Sequence, residues 1–312
     1  IDRAAWDQCV SQSVNGTIYA YSWYLDLVCD SWDALVEGEY EIIFPLPHRK
    51  KFGINYLYQP FFTQQLGIFS IRHLTPGIVD AFLEAIPRKY LLVEINLNTF
   101  NRPSAFKYNL IENQNFELDL IEPYENLRLN YAQNTIRNIN RARRNQVSIA
   151  GNAQPEDIVS LFRNNTGRKF KHITDNDYKR LIRLIYECLH NRKAICYGAF
   201  TKENTLCAGA IIVFSHRKAI FLFSGTNEIA RNNGAMSLLI DHFIKNFSGN
   251  HLTLDFEGSN DANLARFYSS FGSTRVTYPS IRLNNFPSII RFGIKMAKAL
   301  RGKLTRNTST KF

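Results

Sequence analysis

No stretch of this chain approaches the roughly 18 to 20 uninterrupted apolar residues that a helix needs to cross a bilayer. The opening IDRAAWDQCV carries two acids and has no apolar core of the secretory-leader kind. Both absences point to a soluble, intracellular protein, expected in the cytoplasm. Cysteine is scarce and scattered: Cys9, Cys29, Cys188, Cys196 and Cys207 form an odd set with no CxxC pair. That pattern indicates neither a disulfide framework nor a zinc site, so the five are expected to be reduced core residues and no metal site is expected. Apolar content is not lacking, since 45% hydrophobic residues over 312 positions can give two ordinary domains a core each. A disordered tail protein is thereby excluded. The sequence starts at Ile1 without a methionine, which leaves room for a strand ahead of it.

Acids are missing from two stretches, which makes the formal charge of +11 uneven. Between Asn126 and Asn145 stand Arg128, Arg137, Arg141, Arg143 and Arg144 with no Asp or Glu. From Ile281 to the end there are eight Lys or Arg and again no acid. Such surfaces attract phosphates, whether of a nucleotide, a tRNA, a lipid headgroup or a nucleotide-sugar, and they equally serve as solvated cationic faces. A basic RNA or membrane-surface adaptor working through residues 281–312 is one reading of them. The missing aromatic interleaving in the arginine run argues against single-strand RNA reading.

The order of elements repeats. In the first half a helix is expected around Trp23 to Val28. The runs EIIFPLP and INYLYQPFF then bracket a polar turn at His48-Arg49-Lys50-Lys51, and a helix from Pro76 to Ile86 and a strand from Tyr90 to Leu97 follow. In the second half CAGAIIVF and AIFLFSG bracket His216-Arg217-Lys218, a helix is expected from Asn233 to Phe247, and LTLDF closes the unit. Hairpin, helix, strand in each half reads as duplication. The basic segment between them reads as a helix turning into a strand at Val147 to Ile149. Two further helices follow, the second carried by Tyr178, Leu181, Ile182, Ile185, Tyr186 and Leu189 at helical spacing. The boundary falls near residue 122, giving units of 1–122 and 123–285 and a basic tail, 286–312, with an amphipathic helical pattern in IIRFGIKMAKALRGK.

Chemistry concentrates in the second unit. A helix beginning near Asn233 and Gly234 exposes unpaired amides and the positive end of its dipole, with Arg231 beside it, as a phosphate cradle does. Ordinary capping beside a surface arginine gives the same spacing. Next, HLTLDFEGSNDANLARFYSSFGS places Asp255, Glu257, Gly258 and Ser259 at the end of a buried strand, where α/β proteins commonly bind ligands. Asp255 or Glu257 is suited to orient or deprotonate an amine, and Tyr268 to protonate a leaving group. The plainer alternative has the acids capping the turn and Tyr268 in the core. Gln64 and Gln65, within Gln59 to Gly67, suit an acceptor wall or a packed interface.

These residues resemble the GNAT acyltransferase core. Arg231 and Gly234 fall on its pyrophosphate loop, Arg/Gln-x-x-Gly-x-Gly/Ala, with Met236 in the last place and Ala235 one position earlier. Tyr268 to Gly272 falls on its Tyr-x-x-Phe-Gly element, whose tyrosine is often the general acid. Over nearly the whole length the chain resembles the Fem-type (FemAB-like) branch and BioF2-like acetyltransferases of bacteria. The resemblance lies in Tyr21-Ser22-Trp23, Arg143-Arg144-Asn145, Gly167-Arg168-Lys169, Asp255 to Ser259 and Arg266-Phe267-Tyr268. The resemblance implies an α/β (α+β) fold of two tandem GNAT-like domains, each a mixed, mostly antiparallel sheet flanked by helices. It implies an N-acetyltransferase or aminoacyltransferase that transfers an acyl group directly, with no tightly bound cofactor. Acyl-CoA or aminoacyl-tRNA is the donor, and an amine on a small molecule or cell-wall precursor is the acceptor. It assigns catalysis to Tyr268, Glu257 and Asp255 and the donor phosphates to Arg231, Asn233, Gly234 and Ala235. The substrate falls to Arg168, Lys169, Arg144, Gln64, Gln65, Ser259 and Arg266. A long charged coiled-coil insertion for tRNA is missing. A non-catalytic binding protein on the same fold is the alternative.

Overall fold

Two hairpins turn on residues that polymer geometry does not favour. At Phe52-Gly53 and at His216-Arg217 both central residues have positive φ, the mirror-image turn that matches strand twist. The second coincides with the turn read from the sequence. The first does not: His48 to Lys51 are strand residues, and the chain reverses only at Phe52-Gly53. Polar side chains at the exposed end of a strand imitate a turn in sequence. The structure, a computed structural model, describes residues 1–104, 107–170, 173–258 and 260–286. Ser259 and residues 287–312, the basic tail after Phe286 with its helical pattern, lie outside these.

In the first half, α1 (Arg3–Gln12) and α2 (Ser22–Val28) precede β1 (Ser31–Glu37), β2 (Ile42–Lys51), β3 (Ile54–Leu57) and β4 (Phe69–Ser70). Then come α3 (Pro76–Glu84), β5 (Tyr90–Asn96) and β6 (Leu110–Asp119). Thr75 caps α3 and Pro76 occupies its first turn, where a missing N–H costs nothing. The second half holds α4 (Tyr124–Leu129), α5 (Gln133–Arg144), β7 (Ser148–Ala150), α6 (Pro155–Asn164) and α7 (Asp175–His190). It continues with β8 (Ala194–Phe200), β9 (Leu206–Ser215), β10 (Lys218–Thr226), α8 (Glu228–Asn233) and α9 (Ala235–Phe247). It ends with β11 (Thr253–Asp255), α10 (Ala262–Ser269) and β12 (Thr274–Asn284). A reciprocal capping box, Thr174 with Asp177, starts α7.

All the described strands join one twelve-stranded sheet in the order β1-β2-β3-β5-β12-β6-β11-β10-β9-β8-β7, with β4 on β2. The halves exchange strands at its centre. β6 follows β5 in the chain yet pairs with β11, and β12 follows β11 yet pairs with β5, while β6 and β12 pair with each other. A cut at residue 122 therefore severs the chain between β6 and the second half whose sheet it completes. Each half also has one parallel pair, β3 with β5 and β10 with β11.

Helices cover both faces of the second half. Gly209 and Gly225 leave no room for a side chain beneath Ile158, so α6 settles onto β9 and β10. On the other face Leu239, Phe243 and Ile244 of α9 share a core with Cys207, Ala208, Ala210 and Ile212. The halves are not independent cores, because Leu184 and Cys188 of α7 pack into the cluster built on Trp6, Tyr24 and Phe44. All five cysteines are free and buried, as expected from their spacing. Among the described residues no helix is long and apolar enough to cross a membrane.

Candidate functional site

Pairing between β10 and β11 ends at Ile220 with Asp255. Beyond that point β10 runs on to Thr226, while the other strand breaks at Glu257, whose φ is 49°. The gap between the parted strands opens into a cavity of about 600 Å³. Phe221, Phe223 and Ser224 of β10 form one wall and Phe256, Glu257 and Gly258 another; Tyr268 of α10 and Gly234, Met236 and Ser237 at the start of α9 complete it. Phe61 and Phe62 reach in from the first half, and Arg231 stands exposed at the rim.

A buried network holds the break in place. Asp255 accepts from the Glu257 amide (2.9 Å) and from Asn115 Nδ2 (2.9 Å) through Oδ1, and from Lys218 Nζ (3.1 Å) through Oδ2. Lys218 also donates to Glu117 at 2.5 Å. Burial opposes the ammonium of Lys218, but Asp255 and Glu117 hold its pKa above the usual lysine value. Asp255 is 4% exposed and does not line the cavity, so its carboxylate shapes the Glu257 turn. Gly258 lies so close to the backbone of Asn115 that a Cβ would collide with it.

Glu257 and Tyr268 face the same cavity. Burial raises the pKa of Glu257 well above the ordinary carboxylate value, because a charge there loses its water. Tyr268 is raised too, by burial first and by the nearby Glu257 charge second. Its ring stacks on Phe256 at 4.9 Å, which fixes the hydroxyl's direction. Tyr19, on the 3₁₀ turn Ile18–Ala20 of the first half, donates its hydroxyl to Glu257 Oε1. Nothing in the sequence marks Tyr19, since the partnership spans the two halves.

The helix expected to begin at Asn233 is broken there. Gly234, at φ 80°, ends α8 and caps α9, and a Cβ on it would collide with the Asn138 carbonyl of α5. Asn233 Oδ1 accepts from the Ala235 amide at 2.9 Å. The Met236 and Ser237 amides, next in the first turn of α9, find no backbone acceptor among the described residues. They are the free donors of this helix start, and both residues line the cavity beside Arg231. Ala235 is fully buried and faces away from solvent.

The remaining candidates divide. Arg168 and Lys169 are exposed on the 3₁₀ turn Thr166–Lys169, whose neighbours Thr166 and Phe170 line the cavity mouth. Arg144 and Asn233 border a second, polar cavity of about 680 Å³ with Lys202 and Asn232. Arg266 is exposed on α10 outside the lining. Gln64 and Gln65 belong to a plug. In the first half the gap between β3 and β5, equivalent to the open cavity, is filled by their loop. Asn96 donates its amide to Gln59 Oε1 (3.0 Å) and its side chain to the Gln64 carbonyl (2.8 Å), and Leu66 donates back to Asn96 (2.9 Å). The two halves thus repeat a geometry of which only the second leaves the cavity open.

No family model matches the chain, and no curated protein sequence does. Among solved structures the fold is similar to that of FemX, with a TM-score of 0.65 over 91% of this chain and 96% of that one at 12% identity. L-PGS from Bacillus licheniformis is similar at 0.53 over 97% of each chain with 10% identity. The C-terminal domain of a candidate lysylphosphatidylglycerol synthetase from Agrobacterium fabrum gives 0.54 over 96% of each chain with 11% identity. The chain shares the fold of FemX, the Fem-type fold that its sequence resembles, with mixed sheet and flanking helices as expected.

Proposed function

We propose that this chain is a Fem-type transferase that moves an acyl or aminoacyl group from an activated donor to an amine. One observation carries the reading: Glu257, Tyr268 and the amide-lined start of α9 converge on a single cavity where β10 and β11 part. The donor is an acyl-CoA or an aminoacyl-tRNA, both of which present phosphate to Arg231 and the Met236 and Ser237 amides. The name of the Agrobacterium neighbour couples an aminoacyl group to an acceptor, and the reading extends that class of chemistry here.

In the step itself the amine nitrogen attacks the donor carbonyl, a C–N bond forms and the C–S or C–O bond breaks. Glu257, its pKa raised by burial, takes the amine proton when ionised, and Tyr268 protonates the departing thiolate or alkoxide. Holding donor and amine in line supplies about 7 to 11 kcal/mol of the barrier without a covalent intermediate. The acceptor enters beside Phe61 and Phe62, and an amine on a small molecule or bacterial cell-wall precursor fits that side. Arg168 and Lys169 at the mouth suit its phosphate. The five free thiols accord with a cytoplasmic setting.

A thermal-shift panel of acyl-CoAs, charged tRNA and nucleotide-linked cell-wall precursors tests the reading. One donor class raises the melting temperature of the wild type and fails to do so for Arg231→Glu. If no donor shifts the wild type, the reading fails.

A further inference from the structure

We propose that the tip of the β2–β3 hairpin docks this protein on an anionic lipid surface, independently of the chemistry assigned to the cavity. Phe52 occupies the first central position of a two-residue turn at φ 52°, where Asn, Asp or Gly sit without strain and an aromatic residue does not. Its side chain is 91% exposed, and the contact found for its ring is Lys51 Nζ, 5.6 Å from the centroid. The comparable turn at His216 has a structural reason for its residue. His216 Nε2 bonds the Val10 carbonyl at 2.9 Å, and Ser215 Oγ lies 2.6 Å from Nδ1. Folding supplies no such reason for Phe52.

The unpaired charges around the tip are of one sign. Lys50, Lys51 and Arg88 are exposed and have no carboxylate within ion-pair distance among the described residues. The acids nearby are already matched: Asp30 with Arg49 and Arg180, Asp33 with Lys89, Glu84 with Lys107 and Glu94 with Arg282. Register puts these groups at one end of the sheet. Lys51 pairs with Ile54, Asn55 with Tyr90, and Asn285 donates its amide to the Leu91 carbonyl. Phe286, the last described residue, follows Asn285 directly, so the described fold ends on this side of the sheet.

A lone aromatic projecting from a convex tip between lysines suits a bilayer interface, where the ring sinks among acyl chains and the ammonium groups meet headgroup phosphates. Single-stranded nucleic acid instead calls for a groove with stacking platforms.

The test is sedimentation of the full chain with vesicles of phosphatidylcholine, alone and mixed with phosphatidylglycerol. The wild type binds only the mixed vesicles, and less at high salt. Phe52→Asn weakens that binding about tenfold while leaving the melting temperature unchanged or higher, since Asn fits the turn. Lys50→Glu/Lys51→Glu weakens it about 25-fold or more, about fivefold for each lysine lost. The proposal is overturned if both variants bind mixed vesicles like the wild type, or if wild-type binding ignores phosphatidylglycerol. It is equally overturned if the variants lose retention of an RNA oligonucleotide and not of vesicles.

Discussion

Tyr19 donates its hydroxyl to Glu257, a residue 238 positions further along the chain, so the acid in the second half's cavity is held by a donor from the first. A donor to the ionised form favours ionisation. Tyr19→Phe therefore lifts the Glu257 pKa further, and the acid limb of the kcat/KM profile moves to higher pH. The rate falls by roughly 3- to 10-fold, the value of one hydrogen bond. A purely structural role would lower the amount of folded protein and leave the limb where it was.

Glu257 also sets a pH dependence of stability. Its pKa is raised from 4.5 by burial, so the folded state keeps a proton that the unfolded state releases. Stability conferred below the unfolded value is lost as pH rises from about 4.5 through the folded pKa. Glu257→Gln removes that slope. Chemical denaturation across the acid and neutral range shows the variant gaining on the wild type as pH increases.

Tyr268→Phe keeps the ring stacked on Phe256 and removes only the proton donor. Turnover drops by about 10² to 10⁴ while donor-induced thermal shift is retained. A variant that turns over normally would return Tyr268 to the core and leave the leaving group to water.

Gly234 tests the helix break. A side chain there meets both a left-handed backbone and the Asn138 carbonyl, so Gly234→Ala costs roughly 2 kcal/mol or more in urea denaturation. Wild-type stability in that variant would mean that α8 and α9 are not fixed against α5.

Local pattern made much of this legible. Apolar runs announced β9 and β10, helical spacing announced α7, and the segments holding Glu257, Gly258 and Tyr268, singled out by their residue types, line the cavity where β10 and β11 part. Turn chemistry misled at His48 to Lys51, where exposed polar strand residues imitate a reversal. The strand β6 has Glu112, Asn113, Gln114 and Asn115 in succession, so its first half lacks an apolar alternation and only Phe116 and Leu118 mark it, although it lies at the centre of the sheet. Its place depends on partners far away in sequence, as does the exchange with β12. For the same reason neither Tyr19 nor the plugging role of Gln59 to Leu66 could be read from neighbouring residues. Asp255 looked like a catalytic acid because burial and its bonds to Asn115 and Lys218 are invisible in sequence.

The most direct measurement follows a labelled acyl group from acyl-CoA or charged tRNA to a pool of amines, comparing the wild type with Glu257→Gln at equal folded concentration. The account predicts label on an amine with the wild type and at least about a hundredfold slower transfer with the variant. Equal transfer by both proteins, or none from any donor that binds, would contradict it.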